Sequence, residues 1–183
     1  RHAMEFTRRA FGLDRVEEMP FEPRQTNAVF DPAKHRSTLE NMRLWDWQAL
    51  RDTLIQIQEI RTYYDFPDVD IDRYATGGKV KAMMVATREL DINRLPAGSR
   101  NWVNDRLTYT HGYGVTMNSA NAFTREGLPD FTLSNMPVQG ASPEIQVKRP
   151  EIYFGERTTW PVYVKTGQKE FNYPECESNN FST

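Results

Sequence analysis

The chain has 183 residues, enough for one ordinary domain and too few for two well-filled cores. Its 23 lysines and arginines stand against 25 aspartates and glutamates, so it lacks the basic field that neutralises phosphates, and nucleic acid is excluded as an expected partner. Only 38% of the residues are hydrophobic, yet 12% are aromatic, a balance that predicts a core built on a few large rings with much loop between elements.

The longest apolar run, Ala82 to Ala86, has five residues, against about 20 for a membrane helix and about 7–15 for a signal-peptide core. The chain is therefore expected to be soluble as it stands. It opens on RHAM and closes on PECESNNFST, which reads as a segment excised from something larger. A single cysteine, Cys176, allows no internal disulfide and no multi-cysteine metal site, and is read as a bystander.

Residues 1 to 13 mix basic and apolar positions and end near Gly12, which predicts a short helix with a glycine stop. Residues 14–36, with three prolines between Glu17 and Ala33, predict an extended linker within a single domain spanning 1–183. Ser37-Thr-Leu-Glu40 fits a capping box and predicts a helix start at the serine. Asp46 predicts a second start, because Trp47, Leu50, Leu54, Ile57 and Ile60 follow at three- and four-residue steps as one apolar stripe. Beyond Tyr63 the spacing changes to short β-branched and aromatic segments broken by glycine and proline. Strands are predicted over Val69–Tyr74, Val80–Arg88, Tyr113–Met117, Glu151–Gly155 and Val162–Thr166, and a short helix over Ser99–Arg106, with Trp102 as a core anchor. Helices first and strands afterwards define an α+β class: N-terminal helices packed on a mostly antiparallel sheet with long loops.

Three places carry side chains suited to chemistry. DVDIDRYATGGK, Asp68 to Lys79, opens like a calcium loop, but Arg73 stands where that loop needs glycine and Lys79 where it needs glutamate. A hairpin is the better reading: with Ala75–Gly78 as a four-residue turn, Asp72 would face Lys81 and Tyr74 would face Lys79. Calcium or magnesium on Asp68, Asp70 and Asp72 is the alternative, and no other cofactor is expected.

Tyr109-Thr-His111-Gly-Tyr113-Gly holds the one histidine of the central region among two tyrosines and two glycines. The glycines permit positive φ or close backbone approach, and the imidazole nitrogens can anchor the turn. The alternative is a site in which His111 moves protons, Tyr109 or Tyr113 assists, and Asp105 or an aspartate of the 68–72 cluster orients the ring. Arg100, Asn104, His111 and Tyr113 are the ligand-binding candidates. No nucleophile elbow, zinc-protease helix or phosphate loop is present in the sequence.

The succession EFTRRAFGLDRV, NMRLWDW, QIQEIRTYYDFPDVDIDRY, ATRELD, WVNDRLTYTHGYGVTMN, EGLPDF, PEIYFGE and EFNYP closely resembles the uncharacterised protein family 0182, large bacterial membrane proteins. The resemblance covers nearly the whole chain in one order. It implies the start of an extracytoplasmic soluble region that follows a membrane-helix bundle. It also implies that this bundle, the rest of the soluble region, and an envelope ligand or protein are the partners. The family has no established activity, so the resemblance carries over no catalytic residue. Together these readings favour a non-enzymatic binding or scaffolding domain over a hydrolase or transferase using His111, and over a cation-binding domain.

Overall fold

The computed structural model describes residues 2–20, 30–140 and 143–173, and the backbone alone of 176–177. Residues 21–29 of the predicted linker, and the Cys176 side chain, lie outside the described residues. The chain divides into two units, Arg1–Pro32 and Ala33–Thr183. In the first, helix α1 (His2–Ala10) stops before Gly12, whose φ of 66° only glycine adopts freely, and a 3-10 turn follows at Leu13–Arg15.

The second unit is α+β. Helices α2 (Arg36–Glu40) and α3 (Trp47–Gln58) precede the strands. Its main sheet is antiparallel, ordered β2 (Asp70–Thr76), β3 (Lys79–Thr87), β6 (Val115–Phe123), β7 (Pro129–Ser134) and β8 (Gln139–Gly140). Among the described residues there are also three two-stranded pairs: β1 (Tyr64–Asp65) with β4 (Glu89–Leu90), β5 (Gly112–Tyr113) with β9 (Glu151–Ile152), and β10 (Glu170–Phe171) with β11 (Cys176–Glu177).

Helix α3 starts where the sequence says, because the Asp46 carboxylate accepts from the backbone N–H of Gln48 and Ala49. Its buried face is Leu50, Leu54 and Gln58, while Trp47, Ile57 and Ile60 of the predicted stripe are exposed. Ile60 lies past the helix end with φ of 62°, so it has left the helical spacing altogether. Leu50 and Leu54 pack on Phe66, Val69, Met84, Ala86 and Ala120, which joins the helix to one sheet face. On the opposite face Met83, Met117 and Leu133 are buried beneath Val138, Ile145 and Val147.

Several expectations are corrected. Helix α2 begins one residue before Ser37, with His35 at its cap and no side-chain capping bond; Glu40 turns away to Arg36 and Lys79. The residue that secures α2 is Asn41, whose side chain accepts from the Ala82 N–H at 2.7 Å and donates to the Val80 carbonyl at 3.2 Å. The hairpin turn is two residues, Gly77-Gly78, both at positive φ, instead of four. The register moves accordingly: Tyr74 faces Lys81, Thr76 faces Lys79, and Asp72 faces Met83. Strand β9 stops at Ile152, and no strand forms over 162–166, where Lys165 has φ of 57°. The predicted 99–106 helix is a 3-10 turn at Ala97–Ser99 and then a wide π turn at Asn104–Thr108. Trp102 is no core anchor: it is 62% exposed and lies against Tyr163 with ring centroids 6.0 Å apart.

Candidate functional site

The glycines of the THGYG turn lie against the backbone of Arg88 and Glu89. Tyr113 N–H donates to the Arg88 carbonyl and Arg88 N–H to the Gly114 carbonyl, each at 3.0 Å. A Cβ on Gly112 would overlap that same Arg88 carbonyl and lie 2.8 Å from the Glu89 Cα. A Cβ on Gly114, at φ of 86°, would lie 2.8 Å from Arg88 Nη1. Both glycines are thus needed for close approach, and what they approach is a buried arginine.

Arg88 is fully buried. Its Nε and Nη2 donate to the backbone carbonyl and side-chain oxygen of Gln58, each at 2.6 Å, and Nη1 donates to the Asn135 carbonyl at 3.3 Å. The guanidinium carbon lies 5.4 Å from the Phe66 ring centroid. Among the described residues no carboxylate pairs with it; the charge instead sits at the Gln58 carbonyl that ends α3, where the helix dipole favours a cation. Burial pulls its pKa down to about 10, so it stays charged at neutral pH.

Glu89 is buried on the other side of the strand. Its two oxygens accept from the backbone N–H of Glu156 at 2.9 Å and of Arg157 at 2.7 Å. A Cβ on Gly155 would overlap the Glu89 carboxylate, so a larger residue there would displace that side chain from the two amides. Arg157 in turn reaches Asp65, a fully buried carboxylate that also faces Arg94 and Arg51 at 3.2, 3.6 and 3.8 Å respectively.

His111 is 3% exposed. Its Nδ1 donates to the Gly112 carbonyl at 2.7 Å, and its ring lies 4.9 Å from Tyr153 and 6.4 Å from Tyr113. The nearby carboxylate is Glu170, fully buried, which accepts from the hydroxyls of Thr110 at 2.6 Å and Tyr153 at 2.7 Å on one oxygen; its other oxygen is buried with no hydrogen-bond partner among the described residues. Burial holds the imidazole below its ordinary 6.5, against the Gly112 carbonyl, Glu170, Glu151 and Asn172, which favour the charged ring. Below about pH 6.5 the unfolded chain takes up a proton that the fold resists, so this group's share of stability is lost as pH falls. His111→Asn is expected to flatten urea stability between about pH 7 and 5 relative to the parent chain.

The other sequence candidates separate. Tyr109 joins Tyr63 and Phe171 in an aromatic cluster, at 5.7 and 5.2 Å. Arg100 pairs with Asp105 at 3.2 Å, and the Asn104 side chain donates to the Ser99 carbonyl. Asp68 and Asp70 border a small groove of about 250 Å³ with Glu89 and Glu156, and Asp72 is not part of its lining. Among the described residues no three His, Cys, Asp or Glu side chains converge as a metal ion needs. A larger groove of about 780 Å³ lies between α2 and the β2–β3 hairpin, far in character from the buried centre: Arg36, Ile71, Arg73, Lys79 and Val80 line it. Sequence reasoning missed Asp65, Arg88, Glu89 and Glu170. The one available signal was Arg88-Glu89 itself, a charged pair between two apolar stretches of strand.

The geometry defines an α+β domain whose charged and hydrogen-bonding groups meet in a closed centre beside its main sheet. The chain belongs to the uncharacterised protein family UPF0182, whose model matches residues 1–183. It is 46% identical over 178 residues to the UPF0182 protein of Pelotomaculum thermopropionicum, covering 97% of this chain and 19% of that protein. It is 42% identical over 179 residues to that of Desulforamulus reducens (98% and 19%), and 43% identical over 189 residues to that of Synechococcus sp. strain JA-3-3Ab (100% and 22%). The chain thus spans about a fifth of the length of the curated relatives it matches. No solved structure matches it. No helix among the described residues is long and apolar enough to cross a membrane.

Proposed function

We propose that this chain is a non-enzymatic binding or scaffolding domain, carried on the extracytoplasmic side of a bacterial membrane protein. The membrane placement is what the family resemblance implies, and relatives roughly five times longer leave room for it. The observation that carries the non-enzymatic reading is the closure of the polar centre. Arg88, Glu89, His111 and Glu170 are all buried, and each is engaged by backbone or neighbouring side chains. Groups held in this way order loops; a general acid or base must also reach a substrate.

A hydrolase or transferase reading draws on one arrangement, His111 beside Tyr153 and Glu170, and requires the THGYG turn to open. The two readings part on turnover. Assayed against ester, phosphoester, glycoside and peptide substrates, the purified chain is expected to show no turnover that depends on His111. Activity lost in His111→Asn and in Tyr153→Phe, with circular dichroism and melting preserved in either, would establish the enzyme instead.

A further inference from the structure

The aspartates of the DVDID stretch find their role at the rim of the sheet. Strand β2 is an outer strand, paired with β3 on one side and, among the described residues, with no strand on the other. An open edge seven residues long invites pairing with another chain, and charged side chains are the usual defence. Here the defence is specific: the carboxylate of Asp68 accepts from the Val69 N–H and that of Asp72 from the Arg73 N–H, each at 2.7 Å. Two amides four residues apart, one just before the strand and one within it, are thus occupied by acidic side chains.

The strand's two faces differ in charge. Asp70 and Asp72 project from one face, exposed. Ile71 and Arg73 project from the other, into the 780 Å³ groove whose rim adds Arg36 and Lys79. Glu40 is the groove's carboxylate, and it is already paired with both Arg36 and Lys79. Arg73 lines the groove exposed, beside an apolar floor of Ile71 and Val80 that are 47% and 58% exposed.

We propose that β2 is a docking edge for an extended segment of a partner protein, one that carries basic residues on one face and an apolar and an acidic residue on the other. The basic side chains pair with Asp70 and Asp72 and draw the Asp72 carboxylate off the Arg73 amide, which then bonds to the incoming backbone. The apolar and acidic residues lie on Ile71 and against Arg73. The aspartates therefore act as guards that yield to a basic strand and repel an acidic one. A second copy of this chain does not fit: antiparallel β2 edges bring like faces together, so Asp70 and Asp72 would meet their own equivalents.

This inference rests on the binding reading above and names the surface through which it works; His111-dependent turnover would sink that reading, whereas the following experiment decides this one. Two labelled peptides serve as probes, Thr-Glu-Lys-Val-Lys-Thr and its charge-inverted form Thr-Lys-Glu-Val-Glu-Thr. Three cross-strand charge pairs change sign between them, so the first is expected to bind by fluorescence anisotropy about tenfold more tightly. The triple variant Asp70→Lys, Asp72→Lys, Arg73→Glu changes exposed side chains only, and its melting curve checks its fold; it is expected to reverse the preference. Amide exchange at Arg73 should slow on binding. The proposal is overturned if the peptides bind the parent chain equally, if neither binds, if the variant keeps the parent's preference, or if protection arises away from β2.

Discussion

Gly112→Ala is expected to lower the unfolding free energy by about 3 kcal/mol or more, measured by urea denaturation, because the new methyl meets backbone atoms that have nowhere to go. The atoms in question are the carbonyl of Arg88, between β3 and β4, and the Cα of Glu89, which opens β4. A flexible side chain at that spot would swing aside; a peptide group hydrogen-bonded to Tyr113 cannot. Gly98→Ala is the control. Nothing lies within 4 Å of its Cβ position and its φ is not positive, so it should be neutral or slightly stabilising. Equal effects at the two positions would show that the close approach does not matter.

The second large effect is expected at Arg88. Arg88→Met keeps much of the volume and removes three donors, leaving both oxygens of Gln58 and the Asn135 carbonyl to lose charge-assisted partners in a dry site. A loss of about 3–5 kcal/mol follows from two or more such bonds. Arg88→Lys should rescue little, since a point charge cannot reproduce a fork that grips the main chain and side chain of one residue at once. Gln58 Oε1 also accepts from the Asn135 N–H, so Arg88, Gln58 and Asn135 form one network. A double variant with Gln58→Ala should therefore cost clearly less than the sum of the single changes; additive losses would mean that the three act apart.

The parts of the fold that were legible in the sequence are those set by local chemistry. Asp46 caps α3 because a carboxylate there meets free amides, whatever else the chain does. Gly12 stops α1, and the change from helical to alternating spacing after Tyr63 marks the class. The misreadings came where tertiary partners decide. Ser37 has the pattern of a cap, yet the helix begins one residue earlier and its anchor is Asn41, bonded to a strand about forty residues away. Trp102 has the spacing of a core residue, but the π turn that follows it carries it outward to Tyr163.

The site divided along the same line. THGYG stood out because the one central histidine sits among two tyrosines and two glycines, and the turn does pack on the backbone of the buried Arg88 and Glu89. Its neighbours were illegible: Glu170 is about sixty residues from the histidine, and Arg88 and Glu89 look like the end of an ordinary strand. No spacing rule brings these together, since the contact is made by chain folding and by three glycines that allow it.

Asp65 gathers Arg51 from α3, Arg94 from the turn after β4, and Arg157 from the irregular stretch beyond β9. A carboxylate sealed from water cannot replace those partners by solvent, so losing all three would strand a buried charge. Helix, turn and irregular stretch are thereby joined at one buried charge, which gives a stretch almost without strands of its own a fixed point on its neighbours.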